Sequence, residues 1–389
     1  EDFEYLAAAV PHLVAMLLAP KGDPNAPYIP TLRSYAEAIT GPYSSQWQTA
    51  VDAEMASWNV DAFPPCRANI LDGMWIFRVK RAPGSPPVFK ARYIARGFSQ
   101  RQGVDFFQTF SPTPKMTILW VFLHIVAKRD YELHSLDFST AFIQGSLHEE
   151  IWLRRPLGFT GSFPAGTQWS LRRPVFGIGQ VPRKWHDTLR MTLAALGFAP
   201  STADPSLFLR TDTSLPPFYV LVYVDELVFA TADTEALALV KSELKKRNTY
   251  TDLGPSALRL SVLLTIVHSS AYRSLSQLHL QTSLTSGMGL VLGGRDPVVL
   301  SGHTDASLVD DLATQRSSQG YTFSLGSGSV SWRSTRSSSV LSSSCEAEIY
   351  AGAVAAQELR WLTYLLTDLG ERPRSSPVLY VDNKAMIVL

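Results

Sequence analysis

The chain has 389 residues, of which 46% are hydrophobic and 18% are charged, and its formal net charge is +1. These values exclude a wholly disordered chain, allow two or three domains, and mean that any polyanionic partner must be argued from local charge. The two cysteines, Cys66 and Cys345, lie 279 positions apart, which excludes a disulfide framework and a cysteine-cluster zinc site and fits a reducing compartment.

Residues 1–44 are rich in alanine and proline, show no sustained apolar period, and are interpreted as a linker-like leader. An apolar stretch at 6–19 is interrupted by Pro11 and His12 and is shorter than the roughly 20 residues that a membrane-spanning helix needs. No basic segment precedes it, so we expect neither a signal peptide nor a membrane partner, and we favour an intracellular location.

Residues 45–262 carry alternating signals for helices and strands. Apolar residues at helical spacing predict helices over 46–58, 116–128, 184–196 and 234–246. β-rich runs predict strands over 74–79, 88–95, 132–138 and 218–229, of which the first two form a hairpin. The last run has Asp225 and Glu226 at its centre, and two acids inside an apolar run predict a tight turn between buried strands.

A second pattern of strands and helices occupies residues 299–389. It predicts strands over 299–306, 320–332 (two strands joined at Gly326) and 378–382, and a helix over 345–369 that Gly370 ends. Residues 263–298, between the two patterns, show no strong period and are interpreted as a short connection.

Acidic residues recur at the ends of the predicted strands. They are Asp137, Asp225 with Glu226, Asp305 and Asp382. Carboxylates on rigid strands suit a hard divalent cation, and two such ions stabilise both the attacking and the leaving oxygen of a phosphoryl displacement. Aspartate at a strand end is also typical of a helix cap or a turn, and spacing alone leaves both interpretations open.

Several motifs occur in a fixed order along the chain. They include Trp75-Ile-Phe-Arg-Val-Lys80, Gly103-Val-Asp-Phe-Phe-Gln-Thr-Phe-Ser-Pro112, Leu136-Asp-Phe-Ser-Thr-Ala-Phe-Ile-Gln-Gly145, Tyr223-Val-Asp-Glu226, Gly302-His-Thr-Asp305, Ser344-Cys-Glu-Ala-Glu348 and Leu379-Tyr-Val-Asp-Asn383. In this order they resemble the reverse transcriptase and ribonuclease H of Ty1/copia-type LTR retrotransposons, over about residues 32–389.

The resemblance implies an α+β fold with four parts. Residues 1–44 are the leader, 45–262 the reverse-transcriptase fingers and palm, 263–298 a shortened thumb and connection remnant, and 299–389 a C-terminally truncated ribonuclease H-like α/β domain. The activity that it implies is RNA-directed DNA synthesis together with cleavage of RNA–DNA hybrids. Mg²⁺ or Mn²⁺ would be the cofactor, and an RNA template, a DNA primer or an RNA–DNA hybrid, and dNTPs would be the partners.

The resemblance also implies roles for single residues of the palm and fingers. Asp137 and Asp225, with Glu226 beside them, would hold the ions that activate the primer 3′-hydroxyl and neutralise the triphosphate. The residues that would contact the incoming nucleotide are Lys90, Arg92, Phe142, Gln180 and Arg183. Among these, Phe142 would crowd a ribose 2′-hydroxyl, and a core aromatic is the alternative interpretation of the same residue.

In the second half, Asp305, Glu348 and Asp382 resemble three of the four acids of a ribonuclease H metal site. Glu346 competes with Glu348 for the helix position. We favour Glu348 because Ile-Tyr-Ala follows it, as in related sites.

Local charge between residues 72 and 115 favours a polyanionic partner. The basic residues are Arg78, Lys80, Arg81, Lys90, Arg92, Arg96, Arg101 and Lys115, against the two acids Asp72 and Asp105. We expect Lys80, Arg96 and Arg101 to contact nucleic acid. The interleaved aromatic residues Tyr93, Phe98 and Phe106 are typical of stacking platforms. A solvated basic face is the alternative.

Departures from the family pattern predict weak or absent activity. Glu226 stands where the family has its second palm aspartate, and a misplacement of about an ångström can cost about 10²-fold in rate. Asp225 and Asp305 are only 80 positions apart, which leaves little room for a thumb, and Ser307 and Leu308 replace an Asp-Trp pair. The chain also stops before the fourth ribonuclease H acid. A non-catalytic nucleic-acid-binding protein domesticated from such an element, or an unstable fragment, are the alternatives.

Overall fold

The computed structural model describes residues 29, 32, 34–56, 58, 60–63, 69–80, 86–138, 141–145, 147–156, 168–255, 266–267, 289–290, 292–293, 297–311, 313–326, 328–373 and 375–384. Most of the predicted leader (1–44) and of the predicted short connection (263–298) therefore lies outside the described residues. Within the described ranges, no helix is both long enough and apolar enough to cross a lipid bilayer.

The N-terminal part contains two helices and a hairpin. The elements are α1 (Tyr35–Thr40), α2 (Ser44–Ala56), β1 (Val60–Phe63), β2 (Ile70–Leu71), β3 (Gly73–Lys80) and β4 (Val88–Ala95). β3 and β4 pair in antiparallel register, and successive side chains point to opposite faces. Phe77 on one face is buried against Trp47 of α2, with ring centroids 5.2 Å apart. Arg78, Lys90 and Arg92 are exposed on the other face.

A six-stranded antiparallel sheet forms the centre of the molecule. The elements that follow in the chain are α3 (Met116–Arg129), β5 (Glu132–Asp137), α4 (Ala141–Gln144), β6 (Trp152–Arg154), β7 (Gln168–Leu171), α5 (Val181–Ala195), β8 (Phe198–Pro200), β9 (Leu207–Arg210), β10 (Phe218–Tyr223), β11 (Glu226–Thr231), α6 (Thr234–Arg247) and β12 (Thr251–Pro255). The central sheet has the order β12-β5-β11-β10-β9-β8, and a smaller sheet has the order β1-β7-β6-β2.

Both faces of the central sheet are covered, so its middle strands are apolar without interruption. On β10, Tyr219 and Leu221 pack with α3, while Phe218 and Val220 pack with α5 and α6. A strand buried on both faces reads as a continuous hydrophobic run. The β-rich run predicted over 218–229 therefore forms the two innermost strands, β10 and β11.

A second sheet lies in the C-terminal part. Its elements, after the short pair β13 (Ile266–Val267) and β14 (Gly289–Leu290), are β15 (Leu300–Asp311), β16 (Arg316–Leu325), β17 (Gly328–Arg336), α7 (Ser344–Asp368) and β18 (Val378–Tyr380). The strand order is β17-β16-β15-β18, and β18 runs parallel to β15.

The two sheets share one hydrophobic cluster, with α3 between them. Trp120 of α3 stacks on Trp332 of β17 with ring centroids 6.3 Å apart, and Leu362 of α7 is buried in the same cluster. The Tyr219 hydroxyl donates to the Leu369 carbonyl at 2.7 Å. The central sheet and the C-terminal sheet are therefore packed as one body.

The predicted α+β fold class is confirmed, and the predicted helices and strands occur within a few residues of their expected bounds. One boundary is wrong: the strand expected to end near Asp305 continues to Asp311, so Asp305 lies in mid-strand. The short strands β1, β2 and β6 to β9 were not predicted, because strands of two to four residues carry too little periodicity.

Candidate active sites

A two-residue turn joins β10 and β11 and carries the first pair of acids. Tyr223 pairs with Glu226 across the hairpin, which leaves Val224 and Asp225 in the turn. Val224 has φ 56°, a conformation that a β-branched residue rarely adopts. Hydrogen bonds from outside the hairpin hold this conformation.

Two donors bind the carbonyls of this turn. The Trp185 indole N–H of α5 donates to the Val224 carbonyl at 2.5 Å, and the Phe138 backbone N–H donates to the Asp225 carbonyl at 2.8 Å. Trp185 therefore positions the turn, a role that the sequence analysis did not predict.

The strand register brings a third acid to the turn. Asp137, the last residue of β5, lies directly opposite Glu226 on β11. Asp137, Asp225 and Glu226 thus lie together at the ends of three inner strands of the central sheet. They are called the turn site below. Asp137 and Asp225 are partly exposed, whereas the Glu226 side chain is buried with 2% of its surface exposed.

Glu226 carries the strongest electrostatic signal of the turn site. Neither of its buried carboxylate oxygens has a hydrogen-bond partner among the described residues. Burial, and then the neighbouring charges of Asp137 and Asp225, raise the pKa of Glu226 to about 7. A buried carboxyl with two acidic neighbours offers a set of oxygen ligands that fits a divalent metal ion.

The predicted nucleotide contacts divide into exposed and buried residues. Lys90 and Arg92 are exposed on the hairpin, and the Arg92 guanidinium lies 4.5 Å from the centre of the Phe176 ring. Arg183 is partly exposed and pairs with Asp187 at 3.0 Å. The side chain of Phe142, on α4, lies outside the described residues.

Gln180 has a different place from the one expected. Its side chain is fully buried, donates to the Asp105 carbonyl at 2.8 Å and accepts from Gln100 at 3.0 Å. It therefore ties the segment after the hairpin to the start of α5 and does not present its amide to solvent. The prediction of direct nucleotide contact conflicts with this burial.

A close backbone crossing supports the same junction. A Cβ at Gly97 would lie 2.0 Å from the Gly177 carbonyl oxygen, and one at Gly177, where φ is +96°, would lie 2.0 Å from the Ala95 carbonyl oxygen. Only glycine fits at both positions. The hairpin and α5 are thereby fixed relative to each other.

The two acids between residues 72 and 115 already have other partners, so they leave the basic side chains of this segment available to a polyanion. Asp72 pairs with Arg154 at 2.8 Å, and Asp105 is buried and accepts from the Arg101 backbone N–H at 2.6 Å. Arg96 and Arg101 are exposed, and the Lys80 side chain lies outside the described residues.

The aromatic residues of this segment correct the sequence prediction. Tyr93 is buried and donates to the Arg154 carbonyl at 3.0 Å, so its predicted stacking role is wrong. Phe106 is partly buried, whereas Phe98 is 86% exposed. Phe107 and Phe110 are also exposed and were not predicted, because nothing in the sequence marks an aromatic residue as exposed.

A second acidic cluster lies where α7 meets the C-terminal sheet. Ligand atoms of Asp305, Glu348 and Asp382 all lie within 4.8 Å of one another. This is the one such group of three among the described residues, and the turn site does not meet the same criterion. The trio, called the helix site below, joins mid-strand β15, the second turn of α7 and the residues after β18.

The two glutamates in the first two turns of α7 have separate roles. Glu348 is buried and accepts from the Ala306 backbone N–H at 3.4 Å, and its second oxygen has no hydrogen-bond partner in the part of the chain that the structure describes. Burial first, and then Asp305 and Asp382, raise the pKa of Glu348. Glu346 is exposed and accepts from the backbone N–H and the hydroxyl of Ser342 at 2.7 and 2.6 Å, which lowers its pKa.

Glu346 also takes part in the start of the helix. Its backbone N–H donates to the hydroxyl of Ser343, the N-cap of α7, while its carboxylate binds Ser342, the residue before the cap. The structure thus brings Glu348, and not Glu346, together with Asp305 and Asp382.

Comparison with known proteins identifies the family. The family model described as reverse transcriptase (RNA-dependent DNA polymerase) matches residues 56–287, more than half of the chain. The chain therefore belongs to the reverse transcriptase family.

Two relatives place the chain in the predicted retrotransposon lineage. The retrovirus-related Pol polyprotein from transposon RE1 of Arabidopsis thaliana is 28% identical over 436 aligned positions, which cover 89% of this chain and 30% of that protein. The corresponding polyprotein from transposon TNT 1-94 of Nicotiana tabacum is 25% identical over 453 positions, covering 92% and 34%. The resemblance to Ty1/copia-type elements is confirmed, and the chain spans about a third of the length of these relatives.

The relatives are longer than this chain within the aligned region. Each alignment has more positions than this chain has residues, so the relatives contain residues inside the aligned region that this chain lacks. Among solved structures, the foamy viral protease-reverse transcriptase in complex with RNA/DNA hybrid is 13% identical with a TM-score of 0.49 and covers 92% of this chain and 55% of that chain.

Proposed function

We propose that the chain is a retrotransposon-derived RNA-directed DNA polymerase with a ribonuclease H-like second half, and that its polymerase site is impaired. The observation that carries the proposal is the register of β5 and β11, which sets Asp137 opposite Glu226 and beside Asp225. Three acids from two strands and a turn, one of them buried without a hydrogen-bond partner, form a donor set for divalent ions.

In the polymerase reaction, Asp137 and Asp225 would hold Mg²⁺, or Mn²⁺ in its place. Two bound ions supply charge stabilisation for the attacking and leaving oxygens of phosphoryl transfer. Trp185 and the Phe138 backbone N–H hold the turn, and so keep Asp225 aimed while charge develops. Lys90 and Arg92, exposed on the hairpin, would meet the triphosphate of a dNTP.

The impairment follows from Glu226. Its pKa of about 7 means that a large part of the molecules at neutral pH carry a protonated carboxyl, and a protonated carboxyl is a poor metal ligand. The side chain also has one methylene more than aspartate, which moves the ligand atom by about an ångström.

The second activity would use the helix site. Asp305, Glu348 and Asp382 would hold the ions that assist hydrolysis of the RNA strand in an RNA–DNA hybrid. The unpartnered, buried oxygen of Glu348 and the exposed carboxylates on either side fit a cation that keeps some of its waters.

Primer extension by the full chain on an RNA template tests the proposal. We expect weak, divalent-ion-dependent synthesis by the unaltered chain and a gain of about 10- to 100-fold in Glu226→Asp. Asp225→Asn combined with Glu226→Asp is the matched control and should be inactive. Robust synthesis by the unaltered chain with no gain in Glu226→Asp would contradict the impairment, and no synthesis by any variant would contradict the polymerase assignment.

A nucleic-acid-binding role without catalysis is the second candidate. The exposed cations Arg96 and Arg101, beside acids that are already engaged, favour it. Salt-dependent binding that survives both Asp137→Ala and Asp225→Ala, in a chain that shows no metal-dependent activity, would support this role.

A further inference from the structure

Three large aromatic side chains project from one loop of the described structure without packing against the core. Phe98, Phe107 and Phe110 are 86%, 64% and 74% exposed, and Val104 between them is 66% exposed. Apolar groups at such exposure, gathered in one segment, mark an interaction site. We call residues 97–110 the aromatic loop.

The aromatic loop is held against the first turn of α5. Gln100 accepts from the Gly179 backbone N–H at 2.7 Å, the Asp105 carbonyl accepts from Gln180, and the Phe110 carbonyl accepts from Arg183. Each exposed phenylalanine lies within two residues of one of these anchors. The three rings therefore project from a fixed backbone around one helix end.

The position of the loop relates it to the turn site. Trp185, which donates to the Val224 carbonyl, lies about one helical turn beyond the first residues of α5 that the loop contacts. The helix that anchors the loop therefore also carries the residue that positions the turn of Asp225.

The charge around the loop indicates what that ligand is. Arg96 and Arg101 are exposed at its start, and its one acid, Asp105, is buried and hydrogen-bonded within the loop. Exposed rings that share a segment with exposed cations match a chain that has flat bases and phosphates. An apolar protein segment would satisfy the rings and leave the arginines without partners.

We propose that the aromatic loop binds unpaired nucleotides, with bases stacked on Phe98, Phe107 and Phe110 and phosphates beside Arg96 and Arg101. This inference rests on the proposed function in that the bound strand is the template. Paired bases within a duplex present no free faces, so the loop should prefer single strands over duplexes. RNA and DNA single strands share the required chemistry.

Fluorescence anisotropy with the full chain tests the inference. The probes are labelled 20-mers of oligouridylate and oligothymidylate, a duplex of the same length, and an abasic 20-mer that keeps the phosphates. We expect each of Phe98→Ala, Phe107→Ala and Phe110→Ala to weaken binding of the base-containing single strands by about 5- to 100-fold. Binding of the abasic 20-mer should be unchanged.

Two controls accompany these variants. Leu239→Ala removes a side chain of similar exposure on α6 and should leave all affinities unchanged. Arg101→Ala should weaken the binding of every probe to the same extent. It should also reduce the slope of log affinity against log salt concentration by about one.

Equal loss for the abasic and base-containing strands, no loss in the phenylalanine variants, or tighter binding of the duplex would each overturn the inference. Better binding of one single strand would identify RNA or DNA as the source. The Asp137→Asn variant separates the two proposals, because it should bind the single strands normally. Normal stacking without primer extension counts against the proposed function alone, and primer extension without stacking counts against this inference alone.

Discussion

The turn site and the helix site each join two aspartates to one buried glutamate, but they differ in how far the carboxylates converge. At the helix site the ligand atoms lie within 4.8 Å of one another, and Glu348 has one hydrogen bond from the backbone. At the turn site the acids do not form such a group, and the Glu226 carboxyl has no hydrogen-bond partner among the described residues.

This difference shows what one side chain does to a site built by strand register. Register places residue 226 opposite Asp137 whatever its side chain is. The carboxyl of Glu226 is nevertheless buried, and its pKa is raised to about 7. At the helix site both aspartates stay exposed, and only the glutamate is buried. A correct backbone is thus not enough, because ion binding also requires carboxylates that are ionised and aimed.

The largest expected effect is the loss of one activity without the other when a single metal ligand is removed. Asp305→Asn should lower hybrid cleavage by about 10³-fold, since each metal ligand supports several kcal/mol of charge stabilisation. Primer extension by the same protein, measured in the Glu226→Asp background, should change less than twofold. Asp137→Asn should show the reverse pattern, and a loss of both activities in either variant would mean that the sites are not independent.

The pH dependence of the free energy of unfolding tests the raised pKa of Glu226. Because the folded pKa of Glu226 is raised above 4.5, the folded state binds more protons than the unfolded state between pH 4.5 and 7. The contribution of protonated Glu226 to the free energy of unfolding is therefore present at low pH and is lost as pH rises through about 7.

Glu226→Gln should remove this loss, which amounts to on the order of 3 kcal/mol. Urea unfolding in a chelator at pH 5 and pH 8 measures the free energy of unfolding of both proteins. Between pH 5 and pH 8, we expect the free energy of unfolding of the unaltered chain to decrease relative to that of Glu226→Gln. A difference between the two proteins that does not change with pH would contradict the raised pKa.

The contact between the two sheets should matter to both sites alike. The Asp368 carboxylate, at the end of α7, accepts from the Ser201 hydroxyl at 2.6 Å and from the Thr202 and Ala203 backbone N–H groups at 2.8 and 3.2 Å. Asp368→Ala should lower the free energy of unfolding by about 2 kcal/mol.

Because the sheets share one hydrophobic cluster, the loss should appear as an earlier single transition in urea. Glu243→Ala, which removes only an exposed pair with Lys246, is the control and should change stability by less than about 0.5 kcal/mol. Two separate transitions in the unaltered chain would show that the halves unfold independently.

The smallest effect distinguishes Glu346 from Glu348 at the start of α7. Glu346→Ala should cost about 1 kcal/mol through loss of the two hydrogen bonds from Ser342 and leave hybrid cleavage unchanged. Glu348→Ala should abolish cleavage. Thermal unfolding and a cleavage assay on both variants decide the matter, and equal loss of activity in Glu346→Ala would contradict the assigned roles.

The sequence predicts the long elements and fails on the short ones. Helix α3 and helix α6 lie where their apolar period predicts, and the hairpin of β3 and β4 follows from two β-rich runs around a turn. Strands β8 and β9 are too short for a period to be recognised, and they are defined by pairing with β10.

The site was predictable where it depends on motif order, and not where it depends on tertiary packing. The meeting of Asp137 with the Tyr223–Glu226 turn follows from family motifs, but the burial of Glu226 depends on strands and helices far away in sequence. The burial of Tyr93 was available from strand alternation, since it points away from the face of Lys90 and Arg92. The exposure of Phe107 was not, since apolar side chains are expected inside.

A Mn²⁺ titration of the full chain, followed by electron paramagnetic resonance of the free ion, tests the central claim that Asp137 and Asp225 bind the same ions. The measurement is made at pH 8, where Glu226 is largely ionised, on the unaltered chain, Asp137→Asn, Asp225→Asn and the double variant. We predict that each single variant loses the same bound ions and that the double variant loses no more than either. Losses that add in the double variant, or an unchanged titration in either single variant, would contradict the claim.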